Sequence, residues 1–290
     1  MTDEKNSPPH HLTISPLDWL LYGSGWLALA AAAQAAATLR LLGGPGAARA
    51  GQSVTVLVFG ATLLAYNLDA ALPFKQRQPP GTSARKAWQQ RHRPALLGLA
   101  GGAAALVGYH LLRDGWLPLL PGLGALAALA LGYSWPLLRW GGRWHAPREV
   151  PLLKVFLIAG VWTLVTVSLP ALTLRVPLAA TGGLLAQRFC LVAALAIVFD
   201  IRDLAPDRAA GLRTFPVWLG VGGARAVALG LLAASVACGL ARGAAPLAVL
   251  GPGALAAAVI AAAHPARGDY FFALLTDGVL LVQAGAYFWA

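Results

Sequence analysis

Residues 198–220 read VFDIRDLAPDRAAGLRTFPVWLG and place three aspartates and three arginines directly after an apolar run. Charged residues make up only 11% of this chain, whereas a soluble domain carries roughly a quarter. So dense a cluster of charge is therefore unusual here. It is either the solvated end of a membrane helix or a site that holds a metal ion and phosphate.

The rest of the chain is strongly apolar, with 58% hydrophobic residues. Apolar stretches of about 20 residues recur along it, long enough to cross a bilayer core as helices. Helices satisfy every backbone hydrogen bond within the segment, so the sequence predicts an all-α integral membrane protein. The predicted spans are 16–42, 51–72, 94–113, 116–138, 150–173, 180–199, 214–241, 245–263 and 270–289. These spans form a single transmembrane domain from 16 to 290, after a polar N-terminal tail at 1–15.

The basic residues are unevenly distributed between the connecting segments. If the N-terminus is cytoplasmic, most of the 22 Lys and Arg residues fall on the cytoplasmic side. The sequence thus predicts a multi-pass protein of the inner (cytoplasmic) membrane, with the N-terminus inside and the C-terminus outside. Basic loops beside anionic membrane lipid also account for the net charge of +11, and no nucleic-acid partner is needed.

Two predicted cytoplasmic loops, at 73–93 and 200–213, carry most of the polar residues that could do chemistry. At about 100° per residue, Asp200, Asp203 and Asp207 lie within about 60° of one another if the helix continues past residue 200. Three stacked carboxylates repel one another unless a cation lies among them, and oxygen ligands suit Mg²⁺. Pro206 disfavours helix at the preceding residue, so Asp207 belongs to a turn in the alternative arrangement.

The neighbouring arginines suit an anionic substrate, because a guanidinium group binds phosphate oxygens through two parallel hydrogen bonds. The candidates in this stretch are Arg202, Arg208 and Arg213. The competing interpretation is that acids and bases together merely solvate a helix end. Their spacing and density favour a binding site over that alternative.

The same stretch, DIRDLAPDRAAGLRTFPVWLG, resembles the second aspartate-rich motif of the UbiA superfamily of membrane prenyltransferases. The segment GYSWPLLR at 132–139 is similar to the YP…KR segment of that family. The resemblance implies a nine-helix bundle around a central cavity. It also implies that two aspartate motifs hold Mg²⁺ and a prenyl diphosphate, whose isoprenoid chain passes to a lipophilic aromatic or quinone-precursor acceptor.

The resemblance assigns roles to individual residues of this chain. Asp200, Asp203 and Asp207 are the expected metal ligands, and Asp203 and Asp207 are the expected catalytic residues. The expected substrate-binding residues are Asn67, Arg202, Arg208, Arg213, Tyr133 and Arg139.

The first aspartate motif of the family is only partly present. The family has Asn followed by Asp four and eight residues later, and here Asn67 is followed by Ala71 and Lys75. Lys75 lies about 80° from Asn67 on the helix, so it could place a positive charge where a carboxylate would hold metal. We therefore expect one Mg²⁺ ion, with Lys75 as a catalytic cation. The alternative is that Lys75 is one more positive-inside residue.

Asp277 lies in the middle of the last predicted span. An acid inside the membrane is costly, so it is normally functional or paired towards the protein interior. Lys154 and Arg188 are the predicted candidates for its partner, with a structural ion pair favoured over catalysis.

Three functions remain open on the sequence. The first is a prenyltransferase, and the second is an intramolecular terpene cyclase that uses the same carbocation. The third is a non-catalytic isoprenoid-binding or carrier protein, which the missing carboxylates of the first motif favour. The intact second motif favours an enzyme, and the sequence as a whole favours the prenyltransferase.

Overall fold

A computed structural model of the chain describes residues 15–44, 46–73, 83–132, 135, 137–140, 142–147 and 150–289. Two predicted site residues, Lys75 and Tyr133, lie outside these ranges. The described part is a bundle of helices with one small hairpin. The helices are α1 Pro16–Tyr22, α2 Gly25–Gly43, α3 Ala47–Ala50, α4 Gln52–Ala70, α5 Ala84–Arg91, α6 Arg93–Arg113, α7 Leu120–Gly132, α8 Leu153–Thr163, α9 Leu169–Thr173, α10 Gly182–Arg202, α11 Leu204–Ala209, α12 Phe215–Ala241, α13 Pro246–Ala262 and α14 Asp277–Trp289.

Short turns of other helix types extend several of these helices. Two are 3₁₀ turns, at Leu117–Leu119 before α7 and at Leu178–Thr181 before α10. Two are π-helical turns, at Leu164–Ser168 between α8 and α9 and at Phe271–Thr276 before α14. Single π-helical turns inside α-helices are often found at functional sites.

Seven described helices are long and apolar enough to cross a bilayer. Two shorter apolar helices, Leu117–Leu129 and Pro246–Ala262, lie where the fourth and eighth spans were predicted. The prediction of an all-α, multi-pass membrane protein is confirmed, and the count of nine crossings stays a prediction.

The structure corrects the boundary of the fourth span and shows a short helix within each predicted polar loop. The helix of the fourth predicted span is α7, which ends at Gly132. An antiparallel hairpin of β1 Leu138–Trp140 and β2 Arg143–His145 follows it. The loop predicted at 73–93 contains α5, which begins after Ser83, and the loop predicted at 200–213 contains α11. The Ser83 side chain caps α5 by accepting a hydrogen bond from the Lys86 backbone nitrogen at 3.2 Å.

The first predicted span, 16–42, is divided into two helices. The break falls at Gly23 and Ser24, where Ser24 has a left-handed backbone with φ 63°. A Cβ atom on Gly23 would lie 2.5 Å from the carbonyl oxygen of Trp19, so the chain turns here only with glycine. The Gly23 carbonyl, freed from a continuous helix, accepts a hydrogen bond from the Asn67 side chain at 3.0 Å.

Helix α10 is the centre of the bundle. All eight consecutive residues from 191 to 198 are buried, and eight residues cover every face of an α-helix. Helices α8 and α12 pack along it. The end of the bundle where α10 finishes, at Arg202, is called the aspartate end below, and the opposite end is called the distal end.

Small residues set the distance between helices. Along α2, Ala28, Ala30, Ala31, Ala35 and Ala37 are at most 1% exposed. Hydrocarbon solvent gives helices no hydrophobic reason to associate, so close backbone approach through small residues has to supply packing energy. The abundance of alanine in this chain therefore has a structural use.

The packing of α12 against α10 can be tested at two of its glycines. A Cβ atom on Gly239 would lie 2.6 Å from the Gln187 amide nitrogen and 3.0 Å from Val249, whereas Gly230 has nothing within 4 Å. Gly239→Ala should destabilise the protein by about 1–3 kcal/mol, because the neighbours must move. Thermal unfolding in detergent micelles measures the effect. Gly230→Ala on the same helix is the matched control, and equal stability of the two variants would contradict the packing.

Candidate functional site

Helix α10 does not continue through the aspartate stretch. It ends at Arg202, and α11 begins at Leu204 after the non-helical residue Asp203, with φ −87° and ψ 10°. The expectation of one uninterrupted helical face is therefore wrong. Asp207 nevertheless lies in a helical turn, because its backbone nitrogen donates to the Asp203 carbonyl at 2.9 Å and Pro206 occupies the first turn of α11.

Asp200 is the most buried of the three aspartates, at 1% exposure. The Lys154 ammonium group donates a hydrogen bond to its Oδ1 at 2.7 Å. Lys154 is the second residue of α8, and its side chain reaches across to the last turn of α10. The ion pair therefore joins two neighbouring helices at the aspartate end.

Asp203 forms a bidentate ion pair with the adjacent Arg202. Arg202 Nε lies 2.8 Å from Asp203 Oδ1, and Arg202 Nη2 lies 2.9 Å from Oδ2. The guanidinium group also lies over the Phe199 ring, 5.2 Å from its centroid. Burial alone would raise the pKa of Asp203, but the Arg202 pair and the charge of Lys154 hold it below its ordinary value.

Asp207 has a different environment from the other two. Its side chain is 9% exposed, and Oδ2 is buried without a hydrogen-bond partner. Burial raises the pKa of Asp207 to about 6, against the opposing charge of Lys154. One buried carboxylate oxygen is thus free to accept a ligand.

One cation feels the charge of all three carboxylates. The charges of Asp200, Asp203 and Asp207 all act on the Lys154 ammonium group. We call these four residues, together with Arg202, the aspartate cluster. Two of its three carboxylates are balanced by a base within the cluster, and Asp207 carries the charge that remains.

Two further elements reach the cluster. The Arg85 guanidinium group on α5 acts electrostatically on Asp203 and on Asp277. The Arg85 backbone nitrogen donates to Asp269 Oδ2 at 2.9 Å, which fixes α5 against the start of the last span. The predicted partners of Asp277 are wrong, because Lys154 binds Asp200 and Arg188 lies towards the distal end. Arg85 and Arg202 are the cations that act on Asp277.

Asn67, expected to bind substrate, has a structural role in the described fold. It is fully buried, and its amide nitrogen donates to the carbonyl oxygens of Gly23 at 3.0 Å and Leu63 at 2.8 Å. Its Oδ1 is buried without a hydrogen-bond partner. Asn67 therefore fixes the α1–α2 break and leaves one acceptor for a ligand.

The remaining predicted site residues do not join the cluster in the described structure. Arg208 and Arg213 are exposed, and among the described residues no hydrogen bond or ion pair links their guanidinium groups to the cluster. Arg139 is exposed on the hairpin, where it lies 5.9 Å from the Trp144 ring centroid. Lys75 and Tyr133 lie outside the described residues, so their assigned roles stay predictions.

An apolar cavity of about 400 Å³ lies between α1, α4 and α6. Its lining residues are Trp19, Leu63, Ala95, Gly98, Leu99, Gly102, Ala103 and Leu106. Gly98 and Gly102 are exposed, and a Cβ atom on either would meet nothing within 4 Å, so the cavity is open to the surface of the bundle at these residues. Leu63 is one turn before Asn67, which places the cavity beside the α1–α2 break.

The three-carboxylate magnesium site expected among the described residues stays a prediction. No group of three Asp, Glu, His or Cys side chains there is arranged to hold a metal ion. Both Asp203 oxygens bind Arg202, and one Asp200 oxygen binds Lys154. The unpartnered Asp207 oxygen is the atom that fits a single ion, and Mg²⁺ commonly uses one protein carboxylate together with substrate phosphates.

Sequence reasoning missed the two bases that organise this end of the molecule. The sequence predicts Lys154 as a partner of Asp277 only, and it places Arg85 in the loop predicted at 73–93. The sequence signal for Lys154 is the presence of a lysine near the start of the predicted span 150–173. Because 46 residues separate Lys154 from Asp200, only the tertiary structure could pair them.

No family model and no curated protein matches the chain. Among solved structures, the chain is similar to the apo structure of a UbiA homolog from Aeropyrum pernix K1. The TM-score is 0.60 at 20% identity, and the similarity covers 90% of this chain and 96% of that chain. A likeness at this identity establishes the fold.

The chain is thus a multi-pass membrane protein with the UbiA fold. The UbiA-like helical fold implied by the resemblance of residues 200–220 is confirmed, and the nine helices and the central cavity stay predictions. The aspartate cluster lies at one end of this bundle, at the junction of α10 and α11.

The Lys154–Asp200 ion pair can be tested by removing its parts singly and together. Lys154→Met leaves a carboxylate buried without a partner, so we expect a loss of about 3–5 kcal/mol in the free energy of unfolding. Adding Asp200→Asn should restore most of that loss, because no uncompensated charge then remains. Chemical unfolding in detergent gives the coupling energy, and additive effects of the two substitutions would refute the pair.

Asp207 should make stability depend on pH. Because its pKa is raised to about 6, the folded state holds an unfavourable buried charge above pH 6 and a neutral acid below it. Asp207→Asn should therefore stabilise the protein by about 1–2 kcal/mol at pH 8, allowing for partial solvent screening. The gain should shrink at pH 5. Thermal unfolding of both proteins at the two pH values measures it, and a gain that grows towards low pH would contradict the assignment.

Proposed function

We propose that the protein is a UbiA-type prenyltransferase, which transfers an isoprenoid chain from a prenyl diphosphate to a lipophilic acceptor in the membrane. The fold supports the class of enzyme. The aspartate cluster is the proposed binding site of the charged diphosphate. The apolar cavity is the proposed binding site of the hydrocarbon chain.

The reaction begins with cleavage of the bond between prenyl C1 and the diphosphate oxygen. Cleavage leaves an allylic carbocation and a diphosphate anion, so positive charge at the leaving group lowers the barrier. Lys154 and Arg202 are the positively charged side chains of the aspartate cluster. Arg85 adds a third positive charge from α5. A nucleophilic carbon or oxygen of the acceptor then bonds to C1, and the acceptor loses a proton.

A magnesium ion bound with the substrate would add to this positive charge. Asp207 would hold it, since its Oδ2 is the unpartnered oxygen of the cluster. Such an ion would neutralise charge on the departing diphosphate. The other residues act independently of the ion by orienting the diphosphate near the membrane surface.

The isoprenoid chain is proposed to lie in the cavity between α1, α4 and α6. The cavity wall is apolar, and the cavity is open to the surface of the bundle at Gly98 and Gly102. Burial of a chain there follows the ordinary preference of hydrocarbon for an apolar surface. The acceptor class proposed is an aromatic or quinone precursor, as the family resemblance implies.

One observation carries the proposal more than any other. In the interior of a membrane protein, Asp207 keeps a carboxylate oxygen buried and unpartnered beside two ion pairs that occupy its neighbours. Such an oxygen is costly to the fold, and a bound cation would offset that cost.

A second function, isoprenoid binding without catalysis, is supported by Ala71. This residue is 3% exposed and occupies a position where the resemblance expects a carboxylate. A protein that had lost this metal ligand could retain the fold and the cavity as a carrier.

The decisive experiment uses the purified full chain with Mg²⁺ and labelled farnesyl or geranylgeranyl diphosphate, in the presence of membrane lipid extract. An enzyme releases diphosphate and transfers label to lipid. Asp203→Ala and Asp207→Asn should each reduce release by about 100-fold or more, the scale of losing a main electrostatic contact at a leaving group.

Asp114→Asn is the matched control, because this carboxylate lies at the distal end and binds His110. It should retain full activity. Saturable binding without release would establish the carrier function instead. Neither binding nor release would refute both proposals.

A further inference from the structure

Three arginines gather around Tyr287 at the distal end. Arg40 Nε donates to the Tyr287 carbonyl oxygen at 2.8 Å. Arg242 Nη2 donates at 3.1 Å to Gln187 Oε1, and the amide nitrogen of Gln187 donates to the Tyr287 hydroxyl group at 2.6 Å. The Arg188 guanidinium group interacts electrostatically with both Tyr287 and Arg242. We call Arg40, Arg188 and Arg242 the distal arginines.

Arg188 is buried inside the bundle at 1% exposure. It lies six residues into α10, or about 9 Å from the first residue of that helix. Nη1 donates to the Thr166 hydroxyl group at 3.1 Å, and Nη2 is buried without a partner. Thr166 belongs to the π-helical turn at Leu164–Ser168. A charged group at such depth normally faces a partner or a polar cavity.

Arg242 is the second distal arginine with an unpartnered nitrogen. It follows the last residue of α12, and its Nε is buried without a hydrogen-bond partner. Its side chain lies across Gly183, where a Cβ atom would come within 2.8 Å of Arg242 Cγ and Cδ. The glycine therefore allows this arginine to turn inward rather than extend into the lipid headgroups.

No carboxylate balances these charges among the described residues. The described acidic residue at the distal end, Asp114, binds His110 at 2.9 Å. The positive charges of Arg188 and Arg242 act on each other, and like charges in a low-dielectric interior repel strongly. The distal arginines are thus arranged as a site for an anion.

We propose that the phosphate group of a membrane lipid binds between Arg188 and Arg242. A guanidinium group offers paired N–H donors that match phosphate oxygens, and each arginine has a buried donor without a partner. Aromatic residues mark this end as a membrane interface. Trp289 is 93% exposed, and the Phe288 ring centroid lies 5.6 Å from Arg40 Cζ. Lipid phosphates lie at that level.

This site is separate from the aspartate cluster. Asp200 is twelve residues after Arg188 on α10, which is about 18 Å along the helix axis. The inference therefore does not depend on the proposed prenyl transfer. Its failure would leave the enzyme proposal as it stands.

The test measures thermal unfolding of the purified, delipidated full chain during titration with phosphatidylglycerol, phosphatidylcholine or inorganic phosphate. Phosphatidylglycerol should raise the unfolding temperature at lower concentration than phosphatidylcholine. Arg188→Met and Arg242→Gln should each weaken its apparent affinity by about tenfold or more, as expected for losing charged hydrogen bonds. Gly183→Ala, which keeps both charges, should also weaken the response.

The delipidated variants give a second readout that a merely structural arginine would not produce. Arg188→Met should unfold at a higher temperature than the unsubstituted protein, because it removes an uncompensated buried charge. Arg113→Gln is the matched control, since Arg113 is exposed at the same end and lies over the Tyr109 ring. It should leave the lipid response unchanged.

Two results would overturn the inference. An equal response in all variants would show that the distal arginines do not bind the lipid. An equal shift with inorganic phosphate at the same concentration would assign the site to a free anion instead of a lipid headgroup.

Discussion

The ion pair between Lys154 and Asp200 is the contact on which the aspartate end depends. It joins α8 to the central helix α10 at 2.7 Å and compensates a carboxylate that is 1% exposed. In a bundle without a hydrophobic driving force between helices, such a contact also fixes how the two helices are placed relative to each other. The charges of the other two aspartates act on the same ammonium group.

Charge is separated along α10 itself. The helix ends in Asp200 and Arg202 at the aspartate end, and it carries Arg188 near the distal end. The residues from 191 to 198, between these two ends, are all buried and apolar. A single helix therefore connects a site with a surplus carboxylate to a site with surplus arginine, and the hydrocarbon-like segment between them keeps the two charges apart.

Asn67 and Ala71, at two positions of the incomplete first motif, both have structural roles. Asn67 is retained because its amide nitrogen binds the Gly23 carbonyl, which stabilises the break between α1 and α2. Ala71 is buried against the cluster of apolar side chains at the start of the bundle. Asn67 thus serves the fold whatever the chemistry of the site.

The sequence by itself determined the class of fold, because apolar length and backbone hydrogen bonding leave helices as the outcome in a bilayer. It also located the aspartates and the retained Asn67, since these depend on local spacing. The tertiary structure decided the partners. In the folded chain the helix ends before Asp203, and Asp200 pairs with Lys154. Asp207 and Arg188 each have a side-chain atom without a hydrogen-bond partner. Such pairings join helices far apart in the chain, and helical periodicity specifies which face a residue occupies but not which helix packs against it.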